Sequence, residues 1–178
     1  MNTLYLVGHE PGYSPQISSL VGMLAYARYT TLHAVKGFSL ERLDFVPQGL
    51  TNSAAMLLAH MAAVEECYQV LTFEDRDITG PEYEAMKYPL DLGAESAQHL
   101  RGKPLEHYLG ELERVRAKTL TELARRDDAW LLEPLPCPWE QGAQWTRLFQ
   151  WFHVMEDEVN HRGQIRLIRS LSKHLASE

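Results

Sequence analysis

Two histidines and an aspartate stand at steps of four in the stretch HVMEDEVNHRGQI, residues 153–165: His153, Asp157 and His161. On a helix, side chains four apart stack on one face, so imidazole, carboxylate and imidazole form a single ladder. Its direction follows from the residues seven apart, which return to within about 20° of one another. Val154 and Ile168 flank His161 in this way, and Asp157 and Ile165 lie about 40° from it. An apolar meridian through His161 predicts that Asp157 and His161 point inward, with His153, about 80° away, nearer the edge.

An isolated carboxylate in an apolar interior costs several kcal/mol, so Asp157 needs a partner. His60, in SAAMLLAHMAAVEECY, lies on a second apolar meridian, with Leu57 and Val64 beside it and Cys67 seven residues on. Two donors at i and i+4 on one helix and a third on a facing helix make an open divalent-metal site. An Asp157–His hydrogen-bonded pair without metal satisfies the same pattern, and both readings stand at this point. Cys67 reads as a small core residue, being about 10 Å along the axis from His60. His9, His33, His99, His107 and His174 have no distinguishing position. Glu156, Glu158, Arg162 and Arg166 read as a solvated face, and Gln164 as a residue bordering a cavity.

These side chains require helices to carry them. Apolar residues recur at steps of three and four over about 15–36, 53–71, 104–126 and 146–172, predicting four long helices. Gly37 supplies a stop to the first; Thr51 or Ser53 caps the second; Pro104 opens the third. Residues 74–103 form a long excursion holding at most a short helical piece, and WLLEPLPCPWEQGAQW a loop or irregular hairpin. The expectation is an all-α four-helix bundle with long connections, in one domain over 1–178 with an N-terminal extension at 1–14. Connections of this length allow neighbouring helices to run parallel.

Composition narrows the function. A formal charge of −7 disfavours a nucleic-acid or anionic-membrane footprint. Two cysteines make no disulfide framework, and neither a secretory leader nor a spanning segment is evident, which together predict a reducing cytoplasm.

Three segments carry a family resemblance: MLAYARYTTLHAVKGFSLERLDF, SAAMLLAHMAAVEECY and EDEVNHRGQI. They resemble the DinB/YfiT-like superfamily over about residues 20–171. The resemblance implies a four-helix bundle, often a homodimer, with nickel or zinc held by one histidine of the second helix and two of the last. Carried onto this chain, the ligands are His60, Asp157 and His161, with Asp157 in place of the usual middle histidine. Asn160 replaces another frequent histidine. Carboxylate oxygen binds the same metals, giving two imidazoles and one carboxylate.

Among relatives with assigned activities, the resemblance implies transfer of a low-molecular-weight thiol such as bacillithiol or mycothiol to electrophiles, or an isomerisation using such a thiol; the leading expectation for this chain is a metal-dependent thiol transferase or hydrolase. His153 is the candidate for general base. Substrate contacts fall to the 74–103 excursion and to Trp139 and Trp145, which read equally as core plugs. The rival is a non-catalytic stress-response bundle, its metal site degenerate, acting as a dimer or a partner-binding module.

Overall fold

The computed structural model describes residues 4–175. Its long helices are α1 (Pro15–Val35), α3 (Ala54–Phe73), α6 (Leu105–Leu123) and α8 (Arg147–Leu171). Shorter helices lie between them: α2 (Leu40–Asp44), α4 (Gly80–Asp91), α5 (Gly93–His99) and α7 (Asp128–Leu132). The fold class is all-α, and the one departure among the described residues is a two-stranded antiparallel hairpin, β1 (Pro134–Pro136) with β2 (Gln144–Thr146). No helix among the described residues is long and apolar enough to cross a membrane.

Local signals set the helix starts. Ser53 accepts a hydrogen bond from Met56 N at the head of α3, and Thr146 one from Phe149 N at the head of α8. The start of α1 is satisfied from outside: Asp128 Oδ1 accepts from Gln16 N, Ile17 N and the Ser14 hydroxyl. Gly37, at φ +72°, ends that helix in the left-handed region. The excursion is more regular than the fading periodicity predicts. Thr79 and Glu82 make a reciprocal capping box with Pro81 in the first turn, and α4 runs for 12 residues without fully burying one.

Side-chain pairs fix the directions of the long helices. Along α1 and α8, Arg28 meets Glu158, Thr30 meets Arg162 and Ala34 meets Arg169, so these two run parallel. Along α3 and α8, His60 faces His161 and Tyr68 faces His153, so these run antiparallel. Glu65–Arg116, Gln69–Thr119 and Phe73–Arg126 make α3 and α6 parallel. The order is therefore up, down, down, up, and the excursion is the crossover that two parallel neighbours need.

The buried core has two apolar clusters, one around Leu57, Leu58, Met61, Leu112 and Ile165 and one around Leu20, Leu24, Leu123, Trp151 and Val154. On each long helix a charged residue sits between them in sequence: Arg28, Glu65, Arg116 and Glu158, all under 10% exposed. Glu65 accepts from Arg28, from Arg116 twice and from the Thr119 hydroxyl; Glu158 accepts from both arginines. The remaining guanidinium donors reach the carbonyls of Leu112 and Leu24. Despite burial, the charges and hydrogen bonds of Arg116 and Arg28 hold the Glu65 carboxyl below its ordinary range.

Glu158 is thus not on a solvated face, and the reason is geometric. Trp151 and Ile165, seven residues before and after it, are fully buried, so its meridian is as inward as that of His161. Arg162 is half-buried and donates to Thr30 Oγ1, whereas Glu156 and Arg166 are exposed.

Candidate metal centre

The seam between α3 and α8 brings His60, Asp157 and His161 together, with side-chain exposures of 13%, 18% and 10%. His161 Nε2 lies 3.1 Å and His60 Nε2 3.7 Å from Asp157 Oδ1. One donor atom from each residue falls within 4.8 Å of the other two. The imidazole rings stand edge to face, with centroids 4.9 Å apart.

Bond lengths of about 2.0–2.2 Å in tetrahedral geometry put ligand atoms roughly 3.3–3.6 Å apart, a range that the two contacts bracket. Two further observations fit a cation. Asp157 Oδ2 is buried and has no hydrogen-bond partner among the described residues. His60 Nδ1 lies 2.7 Å from the carbonyl oxygen of Pro89. A carbonyl can only accept, so Nδ1 carries the proton, and Nε2 is the ring nitrogen left to face Asp157 or a cation. His161 Nδ1, by contrast, has no partner among the described residues.

The Pro89 contact has a local cause. In a continuing helix the carbonyl of Pro89 would accept from the N–H of Gly93. Leu92 instead turns to φ +55°, ending α4, and Gly93 N donates to Asn52 Oδ1 at 3.2 Å. The freed oxygen is what His60 meets. No side-chain pattern announces a backbone acceptor, so this member of the site was not legible in the sequence.

Electrostatics keep the cluster charged. Burial pushes the Asp157 carboxyl up, but hydrogen bonds and charges from His161 and His60 outweigh it and hold the group well below the usual carboxylate range. Burial pulls the His60 imidazole down, and the Asp157 and Pro89 hydrogen bonds reverse that into a net rise.

The other flagged residues divide. His153 is more open, its Nδ1 3.5 Å from Glu156 Oε2 and its ring 5.9 Å from that of Tyr68. Tyr68, two turns beyond His60, is half-buried, and burial with the nearby Asp157 charge pushes its phenol up to about 12. Its place eight residues from His60 was the available signal. Trp145 is 9% exposed and packs as a plug, whereas Trp139 is 57% exposed. Cys67 is half-buried, and burial with the charges of Glu66 and Glu82 raises its thiol to about 11.

Over residues 19–173 the sequence matches the family model described as mycothiol-S-transferase. The chain belongs to the mycothiol-S-transferase family. With it comes membership of the DinB/YfiT-like superfamily, whose fold recurs in solved structures similar to this one. A conserved protein from Enterococcus faecalis aligns at TM-score 0.64 with 18% identity, covering 85% of this chain and 94% of its own. A Streptococcus pneumoniae protein aligns at 0.63 with 14% identity, covering 90% and 92%. An uncharacterized Clostridium difficile 630 protein aligns at 0.64 with 12% identity, covering 90% and 97%. At these identities the likeness speaks for the fold. No curated protein matches the sequence.

Proposed function

We propose that this mycothiol-S-transferase family member transfers a low-molecular-weight thiol of the mycothiol kind to an electrophile, using nickel or zinc held by His60, Asp157 and His161. The observation that carries the reading is the convergence of two imidazole nitrogens and a carboxylate oxygen on one half-buried point, with Asp157 Oδ2 otherwise unpartnered. A divalent ion there supplies Lewis acidity that lowers the pKa of a thiol.

The residues of the chain do the rest. Asp157 stays ionised and contributes one negative charge, so with two neutral imidazoles a divalent site retains a net positive charge that favours an anionic thiol over a neutral one. Pro89 fixes the His60 tautomer. In this reading His153, one turn from Asp157 and partly exposed, takes the thiol proton and releases it to water. The thiol sulfur bonds to the electrophilic carbon, and the leaving group departs with its electron pair.

Elemental analysis after reconstitution with zinc or nickel should find about one ion per chain, lost in His161→Ala; no bound ion under those conditions overturns the proposal. Incubation of the loaded protein with mycothiol and a haloarene should then give the thioether by mass spectrometry. One observation favours the rival, non-catalytic reading: the direct 3.1 Å contact of His161 with Asp157 is also the metal-free pair. That reading expects Asp157→His to gain an affinity for metal that the natural chain lacks, and equal or weaker binding by the variant counts against it.

A further inference from the structure

We infer that the hollow beneath α4, on the side of α3 turned away from the metal centre, is an effector site for a small carboxylate with an apolar body, and that its occupant tightens the metal centre through Pro89. The link to the centre rests on the metal-dependent reading above; the binding of the carboxylate does not.

The hollow lies between α4 and the pair α3 and α6, and its volume of about 380 Å³ falls in the range of small-molecule pockets. Short side chains make its floor: Ala59, Ala62 and Ala63 of α3, a helix that elsewhere fills the bundle core with Leu57, Leu58 and Met61. Ala62 stands about 160° round α3 from His60, so this space is separate from the donor cluster. Ala85, Met86 and Pro89 of α4 form the roof.

The roof is fastened at its ends. Arg76 and the Thr79–Glu82 capping box hold its start. At its far end Tyr88 stacks on His99 of α5, ring centroids 3.7 Å apart, and Gly93 N donates to Asn52. Held in this way while burying none of its residues completely, α4 spans the space instead of collapsing onto α3.

The rim decides the charge of the occupant. Arg114 is already matched by Glu66 and Glu111, at 3.0 and 2.9 Å. Lys103 has no carboxylate partner among the described residues, and the exposed His99 and His107 stand on the rim with it. An ammonium beside two imidazoles, over an apolar floor, fits a carboxylate head on an apolar tail. A second negative charge would meet Glu66 and Glu111, which limits the ligand to one.

Pro89 belongs to both places. It lines the hollow, and its carbonyl lies 2.7 Å from His60 Nδ1. An occupant touching α3 and α4 together fixes their separation, and with it the hydrogen bond that orients the imidazole. Ordering that bond before the ion arrives removes part of the cost of binding it.

The probe is octanoate, titrated into the full chain carrying carbon-13 methionine methyls, metal-free and zinc-loaded. Expected are saturable binding of one octanoate per chain and a shift of the Met86 methyl, with those of Met23 and Met155 unmoved. Octanamide, which keeps the tail without the charge, should bind about tenfold more weakly. Lys103→Gln, at an exposed position, and Ala62→Leu, which fills the floor, should each weaken octanoate about fivefold or more. Octanoate should raise zinc affinity about fivefold, and by linkage zinc should raise octanoate affinity by the same factor. Movement of Met23 and Met155 in place of Met86 overturns the site, because those two line a different apolar hollow beside α1 and α8. So does octanoate affinity that is unchanged in both variants. Octanoate bound as expected with zinc affinity unaltered overturns the link through Pro89. A chain that binds octanoate at Met86 and takes up no zinc keeps the site while removing the metal-dependent reading, so the two failures are distinct.

Discussion

Replacing Glu65 with leucine tests the account of the buried charges. Arg28, Glu65, Arg116 and Glu158 sum to zero, and Glu65 accepts four hydrogen bonds at 2.7–3.1 Å. Glu65→Leu leaves two guanidinium groups against the single carboxylate of Glu158, a net buried charge of +1. Breaking a buried pair from one side costs about 3–5 kcal/mol. With a urea m-value of about 2 kcal/mol/M, the unfolding midpoint should fall by roughly 1.5–2.5 M. Adding Arg116→Met restores neutrality, since Arg28 keeps Glu158, Thr119 keeps the Val115 carbonyl and the Leu24 carbonyl belongs to a helix. The double variant should therefore be more stable than Glu65→Leu by at least about 2 kcal/mol. Urea titrations of the natural chain, both single variants and the double, followed by circular dichroism, give the cycle. A loss below about 1 kcal/mol in Glu65→Leu, or costs that simply add, would refute the reasoning.

Other outcomes follow from the same contacts. Asn52→Ala removes the acceptor of Gly93 N and loosens the end of α4 that presents the Pro89 carbonyl; stability should fall by about 1 kcal/mol and zinc affinity about tenfold, read by competition with a chelator. Unchanged affinity would separate Pro89 from the site. Thr146→Ala should cost about 1 kcal/mol through the lost cap of α8, measured as a lower urea midpoint with unchanged m. Alkylation requires thiolate, so the raised thiol of Cys67 should leave it largely unlabelled by iodoacetamide at pH 8 and increasingly labelled toward pH 11; rapid labelling at pH 8, located by peptide mapping, would contradict its burial.

The all-α class was legible because four segments keep a helical period over many turns, and the meeting of His60, Asp157 and His161 because Val154 and Ile168 flank His161 and Leu57, Val64 and Cys67 surround His60. The same rule applied to Glu158 would have found Trp151 and Ile165, but the acidic pair Glu156 and Asp157 just before it masked the inward direction. Arg28, Glu65 and Arg116 escaped notice because a charge reads as solvent-facing until its partners on other helices are known. The helix α4 was hidden by its lack of an apolar stripe, although the capping box TGPE at residues 79–82 marks its start. Pro89 could not be found from side-chain patterns at all, since it contributes only its backbone.

That carbonyl separates two responsibilities within the chain. The four long rods bear the weight of the molecule, while α4, which buries no residue completely, presents the oxygen that orients His60. Sequence drift in residues 74–103 can thus retune one imidazole without disturbing the scaffold, and substitutions inside the scaffold can accumulate without retuning it.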